Sequence, residues 1–156
     1  MDVRWAQPPD APVVARLLHD FNVEYDSHSP GVAVLTARLG QLLPAGRTTA
    51  LLAGDPAVGV ALLTSRPNVW YAGPVLLLDE LYVVPERRGQ GIGTAIIERL
   101  LTDARDQGVS LVEINVDEPD VDAQRFYERH GFVSGEARPG GRAFYYEREL
   151  RPQIGA

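Results

Sequence analysis

The 156-residue chain has no cysteine, which excludes thiol nucleophiles, disulfides and cysteine-ligated zinc. Lysine is absent too: all 15 basic residues are arginine. That rules out a lysine Schiff base and the phosphate-loop motif GxxxxGK(S/T). None of the 3 histidines pairs with another at metal-ligand spacing, so no metal is expected. No apolar run reaches membrane-spanning length; the longest, "VLLLDELYVV", carries two acids in its middle. The opening "MDVRWAQPPD" lacks a charged-then-apolar targeting pattern, and the cytoplasm is the expected location. A net charge of −6 argues against nucleic acid, whose phosphates call for a basic surface. It suits a cationic small-molecule partner.

What is present reads as one soluble α/β domain. The chain is 45% hydrophobic and 23% charged, and its length fits one sizeable core. Residues 1–150 are expected to form that single domain and 151–156 a frayed tail. "VRWA" predicts a strand. Asp10 and Pro12 then open a helix with an apolar stripe at Val13, Val14, Leu17, Leu18 and Phe21. "VAVLTARLGQLL" predicts a second helix, and "TTALLAG" with "AVGVALLTSR" a hairpin. "PVLLLDELYVV" is a long strand. Ile92 to Gln107 repeats apolar residues at helical spacing up to Gly108. "SLVEINV" is a strand and "DVDAQRFYERHG" a short helix. "FVSG" and "RAFYYEREL" predict two closing strands.

Between the long strand and the third helix stands "PERRGQGIGT", with glycine at 89, 91 and 93. A helix N-terminus carries unpaired N–H groups and partial positive charge. Glycines just before it let a diphosphate touch those amides directly. Arg87 and Arg88 add charge beside them. The dinucleotide fingerprint G-x-G-x-x-G is the competing reading. Here Gly89, Gln90, Gly91, Ile92, Gly93 and Thr94 miss its third glycine, and the turn follows several strands rather than the first. A third alternative is glycine required only for packing.

Asp79 and Glu80 interrupt an apolar strand, where a carboxylate is costly unless paired or functional. Neighbouring strand residues face opposite sides, so one acid is expected to face a cavity and the other polar groups elsewhere.

"R-R-G-Q-G-I-G" resembles the pyrophosphate loop R/Q-x-x-G-x-G/A of the GNAT superfamily of acyl-CoA N-acyltransferases, with Arg88, Gly91 and Gly93 filling the pattern. Upstream, "LDELYVVPERRG" is similar to that family's fourth strand. Downstream, "DVDAQRFYERHGF" is similar to its N-x-x-A-x-x-(F/L)-Y-E-x-x-G-F segment, with Asp120 in place of the usual Asn. The local motifs lean toward polyamine- and aminoglycoside-type members. The resemblance covers nearly the whole chain. It implies a mixed, mostly antiparallel sheet of about six to seven strands, splayed between strands 4 and 5 and flanked by about four helices.

The resemblance also implies acetyl-CoA as cosubstrate, a primary amine as acceptor and direct transfer in a ternary complex. Leu81, Tyr82 and Val83 would pair with the pantetheine arm, and Arg88, Gly89, Gln90, Gly91, Ile92, Gly93 and Thr94 would take the diphosphate. Asp120 and Ala123 would contact the cofactor arm, Asp120 bringing a negative charge there. Tyr127 matches the general-acid tyrosine; its usual pKa of about 10 lies near that of a thiol. Its alternative role is a core aromatic beside Phe126. Glu80 is the favoured base, directly or through water, with a salt bridge as the alternative. Glu24, Tyr25 and Asp79 are acceptor-site candidates, and Glu113 and Asn115 weaker ones. A homodimer is a further implication. A non-catalytic acyl-CoA-binding module, or a protein N-terminus or lysine as acceptor, stay open.

Overall fold

In the computed structural model, which describes residues 1–134 and 146–150, the chain divides into two compact units, Met1–Asn115 and Val116–Ala156. The first contains β1 (Val3–Trp5), α1 (Ala11–Glu24), α2 (Val32–Ala45), β2 (Thr48–Ala53), β3 (Gly59–Arg66), β4 (Val75–Val83), α3 (Ile92–Asp106) and β5 (Leu111–Ile114). The second contains α4 (Val121–Arg129). No helix among the described residues is long and apolar enough to cross a membrane.

The strands form one sheet in the order β1-β2-β3-β4-β5. The first four pair antiparallel, and β4 pairs parallel with β5. Five strands are present among the described residues, against the six to seven expected. The two expected closing strands lie in part outside the described residues. Phe132–Ser134 and Tyr146–Leu150 adopt no regular structure, and residues 135–145 and 151–156, including the expected frayed tail, lie outside the described residues.

Residues Ala50–Ala53 of β2 are all buried, because both faces of the sheet are covered. On one face Ala50, Leu52, Val60 and Tyr82 join Val14, Leu17 and Leu18 of α1 and Leu39 of α2 in a single cluster, with Val13 and Phe21 packed at its edge. On the other lies α3, whose buried stripe is Ile92, Ile96, Ile97, Leu100 and Ala104. Each of its isoleucine and leucine side chains contributes about 1.5–3 kcal/mol on leaving water, which outweighs the modest helix propensity of the isoleucines. Gly59 on β3 lets α3 approach: a Cβ there would lie 3.1 Å from Ile96 Cδ1 and 3.2 Å from Ile92 Cγ2. Two polar ties hold α3 against β1. Trp5 Nε1 donates to Asp103 Oδ2 at 2.6 Å, and Arg99 Nη1 donates to the Val3 carbonyl at 2.8 Å.

The turn leading into β4 depends on one close backbone approach. A Cβ at Gly73 would overlap the Gly108 carbonyl oxygen, an atom that cannot rotate away. Gly73→Ala is therefore expected to cost about 2–3 kcal/mol or more, read from the shift in the urea midpoint.

β4 continues past its neighbour. Its parallel pairing with β5 runs from Val75↔Leu111 to Leu78↔Ile114 and stops there, while its pairing with β3 persists to Gly59↔Val83. Among the described residues, Asp79–Val83 thus has one open edge.

Candidate active site

The open edge begins at an irregularity. Opposite β3, Leu62 pairs with Glu80 and Leu63 with Leu78, leaving Asp79 as an extra residue in β4. Such a bulge interrupts side-chain alternation and re-aims side chains. Asp79 and Glu80 therefore do not divide cleanly between the two faces, as an unbroken strand would require. The Asp79 carboxylate is exposed and accepts from Thr64 Oγ1 at 2.7 Å. Glu80 is half-buried, and burial first, then the Asp79 charge, pushes its pKa above the usual carboxylate value. No salt bridge engages Glu80 among the described residues. Burial and the neighbouring charge thus make a carboxylate that holds its proton more tightly than a solvated one.

Beyond the bulge, hydrogen-bonding phase decides which backbone groups face the open edge. Val84 N–H donates to the Val58 carbonyl, so 58 and 84 form a hydrogen-bonded pair, and pairs alternate along an antiparallel ladder. By that alternation Tyr82 and Glu80 spend their backbone groups on Val60 and Leu62. Leu81 and Val83 direct theirs away from β3, into the lane that β5 leaves. Of the three residues expected to offer backbone groups, Leu81 and Val83 are so oriented and Tyr82 is not.

That lane leads to the glycine turn. Gly89 and Gly91 have φ of +72° and +77°, the left-handed region in which glycine alone is unstrained. A Cβ at either would meet nothing within 4 Å. Packing within the chain therefore does not require glycine there; backbone conformation does. Gly91 is the N-cap of α3, and Ala95 N–H is the first to find an acceptor, the Gly91 carbonyl, at 3.0 Å. The N–H groups of Ile92, Gly93 and Thr94 precede it and have no intrahelical partner by helix geometry. Together with Gly89 and Gln90 they make a cluster of donors at the positive end of a helix dipole, a fit for a diphosphate.

Arg88 sits differently from what charge alone suggests. Its Nη1 and Nη2 donate to Glu24 Oε1 and Oε2 at 2.7 and 2.8 Å, and its Nε donates to the Val83 carbonyl at 2.9 Å. Glu24, at the end of α1, is held below the usual carboxylate pKa range by the Arg88 hydrogen bond, despite an opposing effect of partial burial. Tyr82 is buried, stacks on Phe21 at 5.4 Å and lies under the Arg88 guanidinium at 5.6 Å. Burial, with its hydrogen bond to Glu24, pushes its phenol up to about 12. Tyr25 is exposed and packs edge-on against Phe21 at 5.1 Å. Glu24 and Arg88, expected on the acceptor and cofactor sides respectively, thus form one cluster. Glu113 pairs with Arg66.

In the second unit Asp120 caps α4, accepting from Ala123 N–H at 3.0 Å. Of the adjacent aromatics, Tyr127 is the buried one, 8% exposed. It meets Phe126 at 5.1 Å and Phe132 at 5.6 Å, both edge to face. Two of the three histidines serve local structure: His19 Nδ1 bonds Ser29 Oγ at 2.8 Å, and His130 Nδ1 bonds the Phe126 carbonyl at 2.7 Å.

The profile of the acetyltransferase (GNAT) family matches residues 13–132. The chain belongs to the GNAT family. Among solved structures, this GNAT chain is similar to a crystal structure from Arthrobacter sp. FB24 described as a candidate acetyltransferase. The two share 48% identity over 96% of each chain, with a TM-score of 0.86. It is 32% identical over 101 residues to the thialysine N-epsilon-acetyltransferase of Bos taurus, covering 65% of this chain and 59% of that one. It is 31% identical over 87 residues to the aminoalkylphosphonate N-acetyltransferase of Salmonella typhimurium, covering 56% of each. The GNAT chain thus spans little more than half the length of these curated relatives.

Proposed function

We propose that this chain is an acetyl-CoA-dependent N-acetyltransferase that acetylates a primary amine by direct attack in a ternary complex. The reading rests above all on one continuous feature: an open β4 edge at Leu81 and Val83 that leads into unpaired amides at the start of α3. An extended arm with amide groups suits the edge, and a diphosphate suits the helix start. Coenzyme A joins both on one molecule; NAD has the diphosphate without the arm. Residues 1–150 would work as one catalytic domain. The relatives named for thialysine and aminoalkylphosphonate favour a small amine as acceptor.

In the proposed reaction the acceptor amine loses its proton to Glu80, directly or through water, as its nitrogen bonds the acetyl carbon. The carbon–sulfur bond breaks, and Tyr127 gives its proton to the departing thiolate. A half-buried carboxylate with a raised pKa is a better base near neutral pH than a solvated one. The absence of cysteine accords with transfer that needs no acyl-enzyme.

Melting with and without saturating acetyl-CoA, with NADH in parallel, tests the reading. At a hundred times its dissociation constant a ligand stabilises by about 2.7 kcal/mol, raising Tm by about 5–10 °C for a chain of this size. A rise with acetyl-CoA alone is expected. No rise, or a rise only with NADH, would overturn the proposal. Gly91→Val, which forces a β-branched residue to φ +77° and adds bulk beside the amides, is expected to abolish most of the shift.

A further inference from the structure

We infer that Arg88 is a positioning residue: Glu24 and the Val83 carbonyl hold its side chain, and it sets the glycine turn against the end of β4 while backbone amides take the diphosphate. The inference rests on the acetyl-CoA reading and concerns which part of Arg88 serves it.

All three nitrogens of the guanidinium are engaged. Two donate to both oxygens of one carboxylate at 2.7 and 2.8 Å, and the third donates to the Val83 carbonyl at 2.9 Å. Turning the side chain toward a diphosphate would break a bidentate pair and leave that carbonyl open. A planar guanidinium held in a fork this way is difficult to displace and gives direction as well as attraction. The Tyr82 ring, itself stacked on Phe21, backs the guanidinium at 5.6 Å.

The Val83 carbonyl matters because it points into the lane that β5 leaves. By occupying it, Arg88 ends the row of open backbone groups, so that Leu81 and the Val83 N–H remain for the cofactor arm. The next residue is Gly89, where the turn swings into the left-handed region. Arg88 therefore fixes both where the arm leaves the strand and where the amides begin. It also ties the turn to the last residue of α1. Its charge is neutralised by Glu24. Arg87, with no carboxylate partner within salt-bridge distance among the described residues, is the cation left beside the amides. Its Nε donates to Gln90 Oε1 at 3.1 Å.

Glu24→Gln distinguishes the two roles by sign. If Arg88 positions the turn, weakening its anchor loosens the turn and weakens CoA binding. If the Arg88 side chain reaches the diphosphate, removing its competitor Glu24 frees it and tightens binding. We expect calorimetric CoA affinity to fall about fivefold in Glu24→Gln and again in Arg88→Ala, with the double variant little worse than either. The salt dependence of binding should match the wild type in the double variant, where the net charge of the pair is unchanged and no charge on the ligand loses its partner. The Tm of the free proteins is measured alongside; a general structural role would lower Tm without changing affinity. Tighter or unchanged binding by Glu24→Gln would overturn the inference, as would a shallower salt dependence in the double variant. Should Arg88→Ala not fold, Glu24→Gln decides alone. A wild-type protein that binds no CoA would overturn the acetyltransferase reading and this inference together, a result distinct from either reversal of sign.

Discussion

Glu80→Gln is expected to lower kcat by about 10²–10⁴-fold, the usual contribution of a positioned general base, with CoA affinity near the wild-type value. Thiol release in the presence of the best acceptor from a panel of polyamines, aminoglycosides and amino-acid derivatives provides the measurement. The pH dependence should identify the group. Glu80 must be deprotonated to accept the amine proton, so wild-type activity should rise with pH along a limb lying above the ordinary glutamate pKa of 4.5, displaced by burial and by Asp79. Asp79→Asn removes one of those two causes and should move the limb to lower pH. In Glu80→Gln the limb should vanish. An unchanged limb in that variant would assign the base elsewhere.

The same group links stability to pH. Because its pKa in the folded protein is above the unfolded value, the folded state binds more protons between those two values. Stability therefore falls as pH rises through that window. Glutamine has no charge to bury. The Tm of Glu80→Gln relative to wild type should accordingly increase from below pH 4.5 upward and level off once Glu80 is fully ionised in the folded protein. A difference that shrinks with rising pH would mean that the Glu80 carboxylate is stabilised by a partner, not penalised by burial.

Tyr127→Phe is expected to cost about 10²–10³-fold in kcat while leaving CoA affinity close to wild type. Phenylalanine retains the ring that meets Phe126 at 5.1 Å and Phe132 at 5.6 Å, so the substitution removes only the phenolic O–H. If that hydroxyl protonates the departing thiolate, its loss should be felt in turnover and not in binding. Acyl donors with more acidic thiols leave without help, so the defect should shrink with them. A variant that turns over at the wild-type rate would make Tyr127 a core aromatic alone. A variant that loses Tm and activity together would assign the hydroxyl a structural role.

Most of the fold was legible from hydrophobic period alone. The α3 stripe read from Ile92 to Ala104 is the stripe that is buried, with Leu101 left at its margin, because a helix that packs on one face must repeat its apolar residues at 3.6. The β2–β3 hairpin was equally plain, since turn residues act through their own backbone. The closing strands expected at 132–135 and 142–150 lie in part outside the described residues.

For the site, the chain by itself determined which groups are available: no thiol, no lysine, two adjacent acids in an apolar strand, and alternating glycines before a helix. These follow from residue identity and spacing. Tertiary structure decided how the groups are used, because that depends on partners distant in the sequence. The bulge at Asp79 arises only from register against Leu62 and Leu63, and it overrides the alternation that residues 79 and 80 imply by themselves. Among the described residues, the open edge at Leu81 and Val83 exists because β5 stops pairing at Ile114. Arg88 reads as a free cation beside the turn until α1 brings Glu24, sixty-four residues earlier, to within 2.7 Å. Charge is written in the chain, but whether it is free or already neutralised is a property of the fold.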